Sequence, residues 1–337
     1  MNQDDLLNLG SRLGGENFAA RLRKQVRIMT RFYGGMGSWH WENLDSVMWL
    51  IRLAFKMCGL FPRGMTNALN FEVMEQEVPI WKLPEAFRNY RLLHLSDMHI
   101  DGHPGLVPAL LKSLEPLSFD GCVITGDFRF LVHGSTEKVV QQTEKLLPAL
   151  QCKDGVFAVL GNHDFIEFVP PLEKAGIRFL LNESIPIARG DSKLWIVGVD
   201  DPHFYGTHDL RRAYHSVPAT APSILLSHSP ELARVAAESH RPDLFLCGHT
   251  HAGQICLPGE KMVLKNAKCP KELLVDAWNI QGMSGYTSRG VGSSGVPLRF
   301  NCRPDIVIHE LVPALHHREC GDSAGEPFGR KLAEAAS

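Results

Sequence analysis

Five short apolar runs in this chain each end in a cluster of Asp, Asn or His, and no other feature restricts its fold so strongly. "RLLHLS" leads into Asp97-Met98-His99, and "GCVIT" leads into Gly126-Asp127. "VFAVL" leads into Gly161-Asn162-His163-Asp164, "SILLS" into His228, and "DLFLC" into Gly248-His249-Thr250-His251. Such runs, several without polar alternation, read as strands buried on both faces. Helical patterns separate them, at 104–117, 135–150 and 229–239, the last with Ser229 as N-cap and Pro230 at the first helical position. Strands alternating with helices make an α/β domain. Ligands of such sheets sit in the crevice at the carboxyl ends of the strands.

Five clusters of Asp, Asn and His delivered to one edge form a mixed oxygen and nitrogen cage. A single Asp-x-His or His-x-His is ordinarily a turn or a satisfied surface pair; five, each abutting a strand, point to a metal site. Such ligands suit Mn, Fe, Zn or Ni, and they exceed what one tetrahedral ion needs. The surplus implies two metals, with a carboxylate such as Asp127 shared between them. Glycines 126, 161 and 248 let the backbone turn sharply beside the ligands. His94 lies inside a strand and reads as a core histidine, whereas His103, His203, His208, His215 and His240 read as structural or rim residues. Asp164 is expected to brace His163 or cap the segment that follows.

The order Asp-x-His, Gly-Asp, Gly-Asn-His-Asp, His, Gly-His-Thr-His resembles the calcineurin-like metallophosphoesterase family, over about residues 91–312. "GHTHAGQ", "VGVDDP" and "GYTSRGVGSSGVPLRFNCRPDI" resemble its bacterial branch of small phosphodiesterases and UDP-2,3-diacylglucosamine hydrolases. The resemblance implies a four-layer αββα sandwich of two mixed sheets. It also implies that Asp97, His99 and His251 hold one divalent ion and Asn162, His228 and His249 the other, with Asp127 bridging. The ions expected are Mn²⁺, or Fe, Zn or Ni in its place. Phosphoester or pyrophosphate hydrolysis would follow, with hydroxide bridging the metals as nucleophile. His163, beside a ligand but outside the set, is the candidate for protonating the leaving group or stabilising equatorial charge. Arg129 follows the Gly-Asp motif at the expected mouth of the site. It reads either as a fork for a substrate phosphate or as a surface ion pair.

Residues 1–70 differ in composition from the rest. Nine bases there face five acids, a net +4 in a chain whose formal net charge is -2. "SVMWLIRLAFKMCGLF" (46–61) is apolar but interrupted by Arg52 and Lys56, four apart and so on one helical face. Carrying two charges and falling short of about 20 apolar residues, it is a poor membrane span. It reads as an amphipathic helix, lying on an anionic membrane surface or packed on the main domain. The expected organisation is a basic helical extension (1–70), a metallophosphoesterase domain (71–312) and a mobile tail (313–337). No apolar h-region follows "MNQDDLLNLG", and the eight cysteines show no CxxC pair, so a cytoplasmic enzyme with reduced thiols is expected, peripheral on the membrane's inner face if the helix meets lipid. The catalytic part lacks the basic stripe that nucleic-acid binding requires. Three functions stay in view: a phosphodiesterase on a nucleotide-linked lipid or small diester, a UDP-2,3-diacylglucosamine diphosphatase specifically, and a non-catalytic metal-binding scaffold.

Overall fold

In the computed structural model, which describes residues 1–34, 45–240, 242–259, 261–262, 267–314 and 330–332, all five motif-bearing runs are strands, divided between two sheets. The chain opens with α1 (Gln3–Leu13), α2 (Gly15–Gly34), α3 (Asp45–Met57) and α4 (Phe61–Asn67), followed by β1 (Glu72–Ile80). Alternation then sets in: β2 (Tyr90–Leu95), α5 (Leu106–Leu114), β3 (Gly121–Ile124), α6 (Glu137–Leu146), β4 (Val156–Ala158), α7 (Val169–Lys174) and β5 (Ile177–Phe179). The next part carries β6 (Glu183–Arg189), β7 (Ser192–Gly198), α8 (Leu210–Ala213), β8 (Ser223–Leu226), α9 (Ala233–Ser239) and β9 (Leu244–Cys247). A small ribbon, β10 (Cys256–Leu257) with β11 (Lys261–Met262), precedes β12 (Asp276–Ile280), β13 (Met283–Thr287), β14 (Asp305–Pro313) and β15 (Arg330–Leu332).

One sheet has the order β15-β1-β14-β2-β3-β4-β5 and the other β12-β13-β9-β8-β7-β6. Both are mixed. β2, β3, β4 and β5 run parallel while β14 pairs antiparallel to β2; β7, β8, β9 and β13 run parallel while β6 and β12 are antiparallel edges.

Strand alternation decides which layer each side chain enters. Leu93, Leu95, Cys122 and Ile124 face outward into one apolar layer shared with Leu110 of α5, Val139 of α6 and Leu172 of α7. Their neighbours Leu92 and Val123 turn inward and meet Ile196, Ile224, Leu226 and Leu244 of the second sheet. On that sheet's far side Val197, Leu225 and Phe245 pack against Leu210 of α8 and Ala233 and Ala236 of α9. Three apolar layers between four layers of structure make the αββα sandwich. His94 is a core residue as expected, fully buried with Nε2 2.9 Å from Thr125 Oγ1; burial pushes its pKa down to about 3. Cys122 and Cys247 are buried free thiols. Ser229 caps its turn by accepting from the Glu231 amide, with Pro230 behind it.

The first two helices do more than extend the domain. Leu9 and Leu13 of α1 are buried in the same layer as Leu93 and Leu95. Arg12 pairs with Glu173 at 2.9 Å and Glu183 at 3.0 Å. From α2, Arg21 pairs with Asp200 at 2.5 Å, both side chains fully buried, and lies over the Tyr205 ring. α3 lies against the rim, with Phe55 stacked on Phe300 at 5.1 Å. At the other terminus Arg330–Leu332 pairs antiparallel to β1, so the segment expected to be a loose tail returns to a sheet edge; 315–329 and 333–337 lie outside the described residues.

Breaking a buried ion pair strands one charge in a low dielectric. Arg21→Ala is therefore expected to cost about 3–5 kcal/mol, read from denaturant unfolding. A loss within about 0.5 kcal/mol, as for an ordinary surface substitution, would show that α2 is not structurally coupled to the domain.

Candidate metal centre

The carboxyl ends of β2, β3, β4, β8 and β9 meet along one edge of the sandwich, and the motif residues follow them directly. The seven expected ligands are all brought together there, each no more than 9% exposed. His251 Nε2 lies 3.3 Å from Asp97 Oδ1 and 3.1 Å from His99 Nε2. His228 Nε2 lies 2.9 Å from Asn162 Oδ1 and 3.2 Å from His249 Nδ1. Between these two groups sits Asp127, its Oδ2 3.3 Å from His228 Nε2 and 3.7 Å from His99 Nε2. His249 and His251, one residue apart, thus serve different halves of the cluster.

The imidazoles are oriented by backbone carbonyls. His99 Nδ1 donates to the Arg129 carbonyl, His228 Nδ1 to Thr125 O at 2.8 Å, and His163 Nδ1 to Phe130 O at 3.0 Å. A carbonyl only accepts, so each Nδ1 carries a proton, and in the neutral ring Nε2 is left as a lone pair toward the cluster. The backbone is bent to the same end. Asp97, His99, Asp127, His249 and His251 all have positive φ, between 39° and 72°, a conformation that non-glycine residues seldom adopt. At Gly248 a Cβ would lie 1.9 Å from Ser96 Oγ and 2.2 Å from Asp97 Oδ2, so only glycine admits this carboxylate.

The electrostatics ask for cations. Burial, then the charge of Asp127, pushes the Asp97 carboxyl up to about 6 against the opposing His228, and Asp164 rises to about 6 for the same two leading reasons. Burial, then His163, pushes His99 down to about 3. Burial, then His99 and Arg299, holds His251 well below its usual value. His228 is driven up, Asp127 overcoming the burial that opposes it. Imidazoles held neutral at His99 and His251 beside an Asp97 carboxyl that resists charging are what divalent ions would relieve. Three overlapping sets, Asp97-His99-His251, His99-Asp127-His163 and Asp127-His228-His249, bring a donor atom from each member within 4.8 Å of the others.

Some residues stand elsewhere than the sequence suggested. Arg129 is 1% exposed, inside the loop and not at its mouth. Its Nη2 donates to the His133 and Gly134 carbonyls and its guanidinium covers the Phe165 ring at 4.1 Å, while Nε and Nη1 have no partner among the described residues. His203, read as a rim residue, tilts over the His249 ring at 4.2 Å and is held through Nδ1 by Glu231 at 3.0 Å. Arg299, fully buried, donates to the carbonyls of Arg289, Gly290 and Gly292 and reaches His251 Nδ1 at 3.3 Å. Asp164 proves to be an anchor. It accepts from the amides of Asp127, Phe128 and Gly161 at 2.8 Å each and of Arg129 at 3.3 Å. Sequence reasoning missed the helix behind it: Arg21 donates to the Asp164 carbonyl, Lys24 to the carbonyls of Phe204 and Tyr205, and Gln25 accepts from the Ile166 amide.

Comparison with known proteins agrees with this geometry. Residues 90–253 match the description of the calcineurin-like phosphoesterases. An uncharacterized metallophosphoesterase of Helicobacter pylori is 30% identical over 279 residues, covering 78% of this chain and 70% of the relative. The chain belongs to the calcineurin-like phosphoesterases. As a member of that family it is a metal-dependent phosphoester hydrolase. It is also similar to the Escherichia coli phosphodiesterase YaeI, 30% identical over 261 residues, covering 72% of this chain and 88% of YaeI. A zebrafish transmembrane protein with metallophosphoesterase domain is 29% identical over 262 residues, covering 72% of this chain and 58% of that protein.

Asp164→Asn places an amide donor where a carboxylate oxygen accepted two backbone N–H groups. The expected destabilisation is about 1–3 kcal/mol for each donor left unpaired, with metal content falling because the Asp127 loop loses its anchor. Unfolding and elemental analysis together check it; wild-type values in both would remove Asp164 from this role.

Proposed function

We propose that this calcineurin-like phosphoesterase hydrolyses a phosphodiester or pyrophosphate, with a nucleotide-linked lipid such as UDP-2,3-diacylglucosamine as the finer assignment. The observation that carries the reading is the placement of Asp127 Oδ2 between His99 and His228, with one three-residue donor set on either side. In this reading Asp97, His99 and His251 hold one ion, Asn162, His228 and His249 the other, and Asp127 both. Mn²⁺ suits the mixed carboxylate, amide and imidazole set, and Fe, Zn or Ni are the alternatives. When bound, two such ions supply positive charge to the phosphoryl oxygens and lower the pKa of water.

The chain's own groups do the rest. His163 keeps its Nδ1 proton on the Phe130 carbonyl, which turns Nε2 inward beside His99, their ring centroids 4.9 Å apart. From there a protonated His163 delivers its Nε2 proton to the leaving oxygen, or stabilises the equatorial charge. Arg129, buried against the Phe165 ring, acts on the loop and not on substrate, holding the His133 and Gly134 carbonyls beside the site. A lipid-linked substrate is supported by the apolar face of α3 at the rim of the edge that carries the site. Activity at the cytoplasmic face of a membrane follows from that reading.

The decisive assay loads the full chain with Mn²⁺ and compares a chromogenic diester, a chromogenic monoester and UDP-2,3-diacylglucosamine, with UMP release followed separately. Diester and UDP-lipid turnover is expected; no turnover of any substrate with any of the four metals would leave a metal-binding scaffold. Asp127→Asn is expected to lose most of its metal and nearly all activity, because one side chain serves both halves. Full metal occupancy in that variant refutes the shared carboxylate. His163→Ala is expected to keep its metal and lose about 10²–10⁴-fold in turnover. Loss of metal there would make His163 a ligand instead.

A further inference from the structure

The two faces of α3 differ in what covers them. Met48, Ile51, Arg52 and Phe55 turn toward the domain, Phe55 on the Phe300 ring and Arg52 donating to the Gly295 carbonyl at 3.4 Å. On the opposite face Trp49, Leu50 and Met57 are 60%, 56% and 79% exposed, with Leu53 beside them and Leu60 just beyond. Scattered exposed leucines need no explanation, but contiguous large apolar side chains on one helix mark an interaction surface.

Charge selects the partner. Between Asp45 and Glu72 the chain has no Asp or Glu, while Arg52, Lys56 and Arg63 are present. Lys56 leans over the Phe61 ring at 5.3 Å, and no ion pair involves any of the three among the described residues. A second copy meeting this face would bring like charges together. An anionic lipid surface instead accepts the apolar side chains and neutralises the bases. Among the described residues no helix is long and apolar enough to cross a membrane, so the contact is interfacial.

We infer that α3 docks this chain on an anionic bilayer through Trp49, Leu50, Leu53, Met57 and Leu60, flanked by Lys56 and Arg63. The rim that α3 leans on is the rim of the metal centre. The Val291 and Gly292 amides donate to the carbonyls of Ser96 and Asp97 at 2.9 Å, and Gly64 O accepts from the Arg299 amide at 3.1 Å. Docking thereby holds the ligand-bearing edge beside the headgroups. That orientation rests on the hydrolase reading above; the docking itself does not.

Flotation of the full chain with phosphatidylcholine vesicles, with and without phosphatidylglycerol, tests it. At low salt the wild type is expected to float with anionic vesicles only, and to release as salt rises. The triple variant Trp49→Ser, Leu53→Ser, Met57→Ser is expected to lose at least about tenfold in partitioning. Lys56→Glu with Arg63→Glu is expected to lose at least about 25-fold, roughly fivefold per base removed. Both variants should keep chromogenic diester turnover and the wild-type unfolding profile. A wild type that stays down with anionic vesicles overturns the proposal, as does equal flotation of the serine variant. If sedimentation instead shows a wild-type dimer that the serine variant disperses, with no lipid bound, the face is a contact between copies and docking is wrong. A wild type that floats but turns over no phosphoester would sink the hydrolase reading and leave docking standing.

Discussion

The site depends on one carboxylate that is not itself among the expected ligands. Asp164 takes four backbone N–H groups from two different loops, the one after β3 and the one after β4, and so fixes the separation of Asp127 from Asn162 and His163. Charge-assisted bonds to backbone amides are among the stronger hydrogen bonds available inside a protein. They are needed here because Asp127, at φ 54°, would otherwise relax out of the left-handed region. The same loop's next contact follows: with Asp127 held, its Oδ1 accepts the His163 amide at 2.9 Å. One side chain thereby sets the positions of Asp127, the carboxylate expected to be shared, and of the histidine beside it.

Five strained residues at one edge store several kcal/mol, at about 1–3 kcal/mol each, and the rest of the molecule must hold them there. The three apolar layers do this globally, since every motif strand is buried on both faces. Locally the work falls to polar groups behind the ligands: Ser96 and the His249 amide on Asp97, carbonyls on His99, His163 and His228, and Glu231 behind His203. The result is preorganised: imidazole lone pairs and carboxylate oxygens point at a shared centre before any ion arrives.

How much of this could be read from the chain alone depends on the range of the interactions. The five motif strands and the helices at 104–117, 135–150 and 229–239 were legible because burial on both faces and a 3.6-residue period are local signals. The meeting of the seven expected residues at one edge was legible because they follow directly on the ends of five strands. β1 was not, for polar Gln76 occupies one of its buried positions and Pro79 interrupts it, and its register is set by β14, more than 200 positions away. Arg21 was illegible for the same reason: nothing around it in the chain reports that Asp200 waits at the other end. Arg129 was misplaced because proximity to a motif says which loop a residue is on, not which way its side chain turns.

The charge count of the first 70 residues shows how such long-range pairing changes a conclusion. A net +4 suggests a uniformly basic arm, yet Arg12 and Arg21 are taken up by Glu173, Glu183 and Asp200, and Lys24 by two carbonyls. Those bases are internal counter-charges that clamp α1 and α2 to the loops behind the metal centre, and they offer little to an outside partner. What is left for the surface is Arg23 and Arg27 on α2 and a group on α3 and α4, where Lys56 and Arg63 flank exposed Trp49 and Met57 with no Asp or Glu between Asp45 and Glu72. The segment therefore has two jobs set by burial: its first half closes the back of the site, and its second half shapes the rim. The first half grips the loop that carries Asn162 and His163, and the second grips the 289–300 rim, whose Arg299 reaches His251 Nδ1.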